Sequence, residues 1–153
     1  MQDLNSSARS RRKNSEDMNK KKTDISVVIE KTSTGFSAFA KEIDGLATVG
    51  NSISELKENF NEVLNYHVEF LQEKGEVVTM GDFEISYQID LEQVFEYFSV
   101  LNKSAFAECY AGMNQSLFRQ YTKGLAPLSG DKMSQISKGL HKLANELSDL
   151  TLV

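Results

Sequence analysis

Two hydrophobic rhythms follow one another along the chain and change over near Asp90. From Ile25 the apolar positions alternate, with Ile25, Val27 and Ile29 set against Ser26, Val28 and Glu30. That period of two predicts a strand. Ser33-Thr34-Gly35 is a turn signal leading into a second strand through Phe36, Ala38 and Ala40. Asp44-Gly45 leads to a short third strand over 46–49, and Gly50-Asn51 breaks the pattern. Ser52 and Glu55 then form an S-x-x-E capping box, which marks a helix start. This helix sets Ile53, Leu56, Phe60, Val63, Leu64, His67 and Leu71 on one side and stops at Lys74-Gly75. Alternation returns at Phe83, Ile85, Tyr87 and Ile89. The order β-β-β-α-β predicts an antiparallel sheet with one long helix on a face.

Beyond Asp90 the period lengthens to about 3.6. Leu91, Val94, Phe95 and Phe98 form a helical stripe with Asp90 as N-cap. A second helix over 104–111 turns Phe106, Ala107 and Ala111 inward. Gly112 allows a sharp left-handed turn, and Asn114 can cap a third helix that ends at Lys123-Gly124. Met113, Phe118 and Tyr121 face the core, which leaves Gln115, Ser116, Arg119 and Gln120 on the opposite side. The last helix, 131–150, carries Met133, Ile136, Leu140, Leu143, Leu147 and Leu150 at strictly alternating threes and fours. That is heptad spacing, and its second half, Leu143, Leu147 and Leu150, is the expected seam with another copy of the chain. Folding back onto 91–101 is the competing use of the same stripe.

Charge divides the chain in the same place. Residues 1–23 hold seven basic and three acidic side chains, net +4; 24–100 hold four and fifteen, net -11; 101–153 hold six and four, net +2. An acidic block attracts basic proteins and repels phosphate, whereas the basic block tolerates nucleic acid. Residues 1–23 have almost no apolar content and are expected to be a disordered basic tail. Met18, just ahead of Asn19-Lys20-Lys21-Lys22, is expected to be the native start. The expected organisation is therefore a tail over 1–23, a sheet-and-helix domain over 24–90 and an all-helical domain over 91–153. The expected class is α+β.

Several chemistries are set aside on composition. Cys109 is the only cysteine, so no disulfide framework exists and a reducing cytoplasm is the expected setting. Two histidines and one cysteine do not make a structural zinc site, and no metal or cofactor is expected. His67 sits on the apolar stripe of its helix, as a core or rim histidine would. Asp24, Glu42 and Asp44 are too few and too scattered for a two-metal carboxylate centre, so no catalytic residue is expected.

The polar face of the third helix in the second half is apt for DNA. Gln and Asn pair bidentately with adenine, Arg with guanine, and Ser with either donors or acceptors. Asn114, Gln115, Ser116, Arg119, Gln120 and Lys123 are the candidate DNA-binding residues, with Lys132 and Lys138 available to phosphates. Segment 105–124, AFAECYAGMNQSLFRQYTKG, resembles the helix-turn-helix of phage-repressor-like proteins, whose two glycines stand twelve residues apart as Gly112 and Gly124 do. That class has a small residue four before the turn glycine, where this chain has Glu108; either the helix is shifted by one so that Ala107 serves, or Ala111 serves.

The first half also carries a resemblance. Segment 35–71, GFSAFAKEIDGLATVGNSISELKENFNEVLNYHVEFL, is similar to the N-terminal domain of HicB-type antitoxins, which has a strand pair, an Asp-containing turn, a short strand ending in Gly and a capped, Glu- and Leu-rich helix. Where that family reads Asp-Leu-Pro-Gly, this chain reads Ile43-Asp44-Gly45-Leu46. The resemblance implies a truncated ribonuclease-H-like fold without enzymatic activity that covers a small, basic, messenger-RNA-cleaving toxin of the HicA type. It also implies a C-terminal module on double-stranded operator DNA. On that basis Glu42, Asp44, Glu55, Glu58 and Glu62 are the candidate toxin-binding residues. The expected function is an antitoxin and autorepressor working as a homodimer or higher homo-oligomer. The alternative is a free-standing helix-turn-helix regulator whose first domain senses a small ligand.

Overall fold

A computed structural model describes residues 21–153. The basic segment through residue 20, Met18 included, lies outside them. The protein is α+β, with a four-stranded mixed sheet and five α-helices among the described residues. It divides into two compact units, the first ending at Gln88 and the second running from Ile89 to Val153.

In the first unit, β1 (Thr23–Lys31), β2 (Phe36–Ala40) and β3 (Ala47–Gly50) form an antiparallel meander. Helix α1 (Ile53–Glu73) follows, then β4 (Phe83–Ile89), and the strand order is β3-β2-β1-β4. The sheet is mixed rather than antiparallel throughout. Both pairings of β2 are antiparallel, so the parallel pairing is that of β4 with β1. A helical crossover brings this about, since the connection through α1 returns the chain to the far side of β1.

Alternation assigns the two faces. Ile25, Val27, Ile29, Phe36, Ala38 and Ala40 point to one side and are buried with Leu56, Phe60, Leu64 and Val68 of α1. The burying ridge of α1 thus advances by fours and includes Val68, while Ile53, Val63, His67 and Leu71 flank it half-buried. Phe60 meets Tyr87 of β4 edge-on at 6.2 Å between centroids, and the Lys57 ammonium lies 4.9 Å above the same ring. The other face of the sheet carries Val28, Phe39 and Ala47 in one register row, and Phe39 is 40% exposed.

In the second unit, α2 (Leu91–Tyr97) is capped by Asp90, whose carboxylate accepts from the Glu92 amide at 2.8 Å. Next come α3 (Lys103–Phe106) and a π-helical turn (Ala107–Ala111), then α4 (Gln115–Thr122) and α5 (Gly130–Ser148). The core is Leu91, Phe95, Phe106, Ala107, Ala111, Met113, Phe118 and Ile136. Within it the rings of Phe95, Phe106 and Phe118 form a triangle with centroids 5.1 to 5.4 Å apart. One aromatic from each of α2, α3 and α4 therefore fixes the three helices together, each contact adding about 1 kcal/mol beyond burial. Among the described residues no helix is long and apolar enough to cross a membrane.

Candidate nucleic-acid interface and the acidic unit

The turn between α3 and α4 is built by an extra residue. In the π turn the Gly112 amide reaches back to the Ala107 carbonyl, and Met113 N–H donates to the same oxygen at 2.9 Å. Gly112 itself has φ 59, a left-handed conformation that a side chain would strain. The wider turn rotates Ala107 fully inward and leaves Glu108 exposed. Ala107 and Ala111 are both buried, so either can fill the small-residue place. Gln135 of α5 donates its side-chain amide to the carbonyls of Ala111 and Gly112, satisfying helix-end acceptors that would otherwise need water. No pattern in the sequence marks that role.

Asn114 starts α4 by accepting from the amides of Ser116 at 2.8 Å and Leu117 at 3.2 Å. Its side-chain oxygen is thereby occupied. Phe118 is wholly buried, and this turns Ser116, Arg119 and Gln120 to the surface with Lys123 just beyond the helix end. Gln115 is half-buried and donates to the Glu108 carboxylate. Arg119 donates to the Ser104 hydroxyl. Of the candidate reading residues, Ser116, Arg119, Gln120 and Lys123 are exposed, and Gln115 and Arg119 are held by partners on the preceding turn and helix.

Along α5 the heptad stripe changes character. Ile136 is buried, and Leu140 and Leu143 pack against the core, whereas Leu147 is 63% exposed; Leu150, 68% exposed, lies beyond the helix end at Ser148, so the expected seam loses its last helical position. The unit leaves open an apolar hollow of about 370 Å³ lined by Val94, Phe98, Leu101, Leu140, Leu143 and Leu147. On the same helix Glu146 accepts from the Tyr110 hydroxyl at 2.7 Å, and this bond pushes the Tyr110 phenol above its ordinary value.

In the first unit the acidic candidates fall into separate groups. Glu42 and Asp44 lie on the β2–β3 loop, where the Glu42 carboxylate accepts from the Ser26 amide of β1 at 2.8 Å. That bond holds the Glu42 carboxyl below the usual carboxylate value. Glu55 stands past the other end of β3, a strand roughly 13 Å long. Its carboxylate accepts from the Asn51 amide at 3.0 Å while its own amide donates to Ser52 at 3.1 Å. Glu55 is therefore engaged in starting α1, and Glu58 and Glu62 are exposed one and two turns further along. An open polar hollow of about 300 Å³ lies beside Glu55, lined also by Thr32, Thr34, Asn51 and Asn59. Among the described residues no group of three or more His, Cys, Asp or Glu converges as a metal site.

Comparison with protein-family models, curated proteins and solved structures finds no match to this chain.

Proposed function

We propose that this chain is a HicB-type antitoxin that also represses its own operon. In this reading the acidic sheet-and-helix unit covers a small, basic, messenger-RNA-cleaving toxin and has no catalytic activity. The second unit, a helix-turn-helix, binds double-stranded operator DNA. The observation that carries the reading is the polar set of half-buried Gln115 and exposed Ser116, Arg119 and Gln120 on α4, with Lys123 just past its end, behind a left-handed turn at Gly112. Such a set at a helix start offers donors and acceptors to base edges and a cation to the backbone. The strand order β3-β2-β1-β4 with α1 before the last strand supports a truncated ribonuclease-H-like topology for the first unit. The net charge of -11 over 24–100 supports a cationic protein partner.

A second copy of the chain completes the proposal. Leu147 continues the stripe of Leu140 and Leu143 beyond the core and lines the apolar hollow, and exposed Leu150 follows just past the end of α5. Two-fold pairing there sets two reading helices about one DNA turn, ~34 Å, apart.

The test is twofold. The purified protein should retard a duplex taken from upstream of its own gene and co-purify with a short basic protein encoded beside it. Failure of both ends the reading. The hollow beside Glu55 favours the second reading, a regulator with a ligand-sensing first unit. In that case no neighbouring product binds, and a small molecule changes DNA affinity instead.

A further inference from the structure

We infer that Glu108, by fixing the side-chain amide of Gln115, sharpens the preference of Gln115 for adenine over guanine. The inference rests on the DNA-binding reading above and assigns a base preference within the same surface. Its starting point is the extra residue in the π turn. By turning Ala107 into the core, that residue leaves Glu108 at the surface, where its carboxylate accepts from the side-chain amide of Gln115.

A carboxylate has no proton to give, so the nitrogen end of the Gln115 amide must face it. One of the two amide protons is thereby committed. What remains is one N–H and the carbonyl oxygen, a single donor beside a single acceptor. Adenine offers the complementary pair in the major groove, an N7 acceptor next to an N6 donor. Guanine offers two acceptors, N7 and O6, and needs two donors that the held amide no longer has. The Glu108 charge adds repulsion toward the guanine oxygen. Gln115 opens α4, and the N-terminal residues of a reading helix are those that reach base edges.

The same charge also repels the phosphate backbone, so Glu108 has two effects of opposite sign. It raises discrimination at one base and lowers affinity for every sequence. A residue that merely supported the fold would raise both or neither.

The experiment uses the full chain and four variants: Glu108→Ala, Glu108→Gln, Gln115→Ala and the Glu108→Ala/Gln115→Ala double variant. Each is selected against a randomised duplex library, and affinities are then measured on the selected duplex and its single adenine-to-guanine replacements. The unsubstituted chain should prefer adenine at one position by roughly tenfold or more. Glu108→Ala should lower that ratio several-fold, to what a freely rotating Gln115 amide gives, while binding all duplexes at least as tightly. Glu108→Gln keeps the volume but can donate as well as accept, so it no longer fixes the amide and should lower the ratio too. In the Gln115→Ala background, removing Glu108 should change no base preference. If the chain selects a site and Glu108→Ala retains the same adenine preference, the inference is overturned and DNA binding stands. If the unsubstituted chain selects no sequence, DNA reading fails and the inference falls with it.

Discussion

Gly139 of α5 lies directly against the carbonyl of Tyr110: a β-carbon at position 139 would stand 2.7 Å from that oxygen and 3.0 Å from its carbon. The last helix therefore crosses the π turn backbone to backbone. Gly139→Ala should force the two apart and destabilise the second unit by about 1–3 kcal/mol, as overpacking does. Calorimetric unfolding should show one transition lowered and the other, identified by a Leu64→Ala variant, unmoved. A melt indistinguishable from that of the unsubstituted chain would mean that the contact does not constrain the helix.

Gln115→Ala combined with Arg119→Ala should abolish retardation of the upstream duplex while leaving capture of the neighbouring gene product intact. Arg119 is exposed, Gln115 is half-buried and neither belongs to the core, so the helices should unfold at nearly the same temperature as before. Each lost bidentate contact should weaken specific binding by about 1–3 kcal/mol. Loss of both activities in a folded variant would refute the assignment of two tasks to two units.

Leu147→Glu with Leu150→Glu should turn an oligomer into a monomer by light scattering. Neither side chain belongs to the core, so the folded unit should survive the change. Leu143 is unsuited to this test because it packs against that core. A mass that does not change would rule out the seam.

Acid should loosen the β2–β3 loop through Glu42. Its carboxyl is held below the ordinary value by the Ser26 amide, so the folded state favours the charged form. The resulting stabilisation is complete above the ordinary carboxylate value of 4.5 and disappears as pH falls through the lower folded-state value. Glu42→Gln removes this linkage. The midpoint difference between the two proteins should therefore stay constant from neutral pH down to about 4.5 and shrink only below it. A difference that does not shrink in that acid range would exclude Glu42 as its source.

Much of the fold could be read from residue order because local signals and burial agree. Alternation placed Ile25, Val27 and Ile29 on one face, and Ser52 with Glu55 marked the start of α1, where both side chains make capping bonds. Boundaries moved by a residue or two: β1 begins at Thr23, β3 ends at Gly50 and α5 runs from Gly130 to Ser148. The direction of β4 was not legible, since alternation is the same in parallel and antiparallel strands. Nor was the π turn, because Ala107 and Ala111 are both small and either can fill an inward place. Gln135 escaped notice for a different reason. Its partners are carbonyls about two dozen positions away, and backbone acceptors leave no trace in side-chain pattern.

The outer strand of the sheet ends in a bond that bears on how copies of this protein behave in a crowd. Ala40 N–H donates to Leu46 O at 2.9 Å, which makes Ala38 with Thr48 and Phe36 with Gly50 the bonded pairs and turns the backbone of Val49 outward. The Val49 carbonyl is then taken at 2.8 Å by the amide of Asn59 from α1. An intruding strand finds that acceptor occupied on a rim only four residues long, so this edge of the sheet gives edge-on stacking of molecules into fibrils little to grow from.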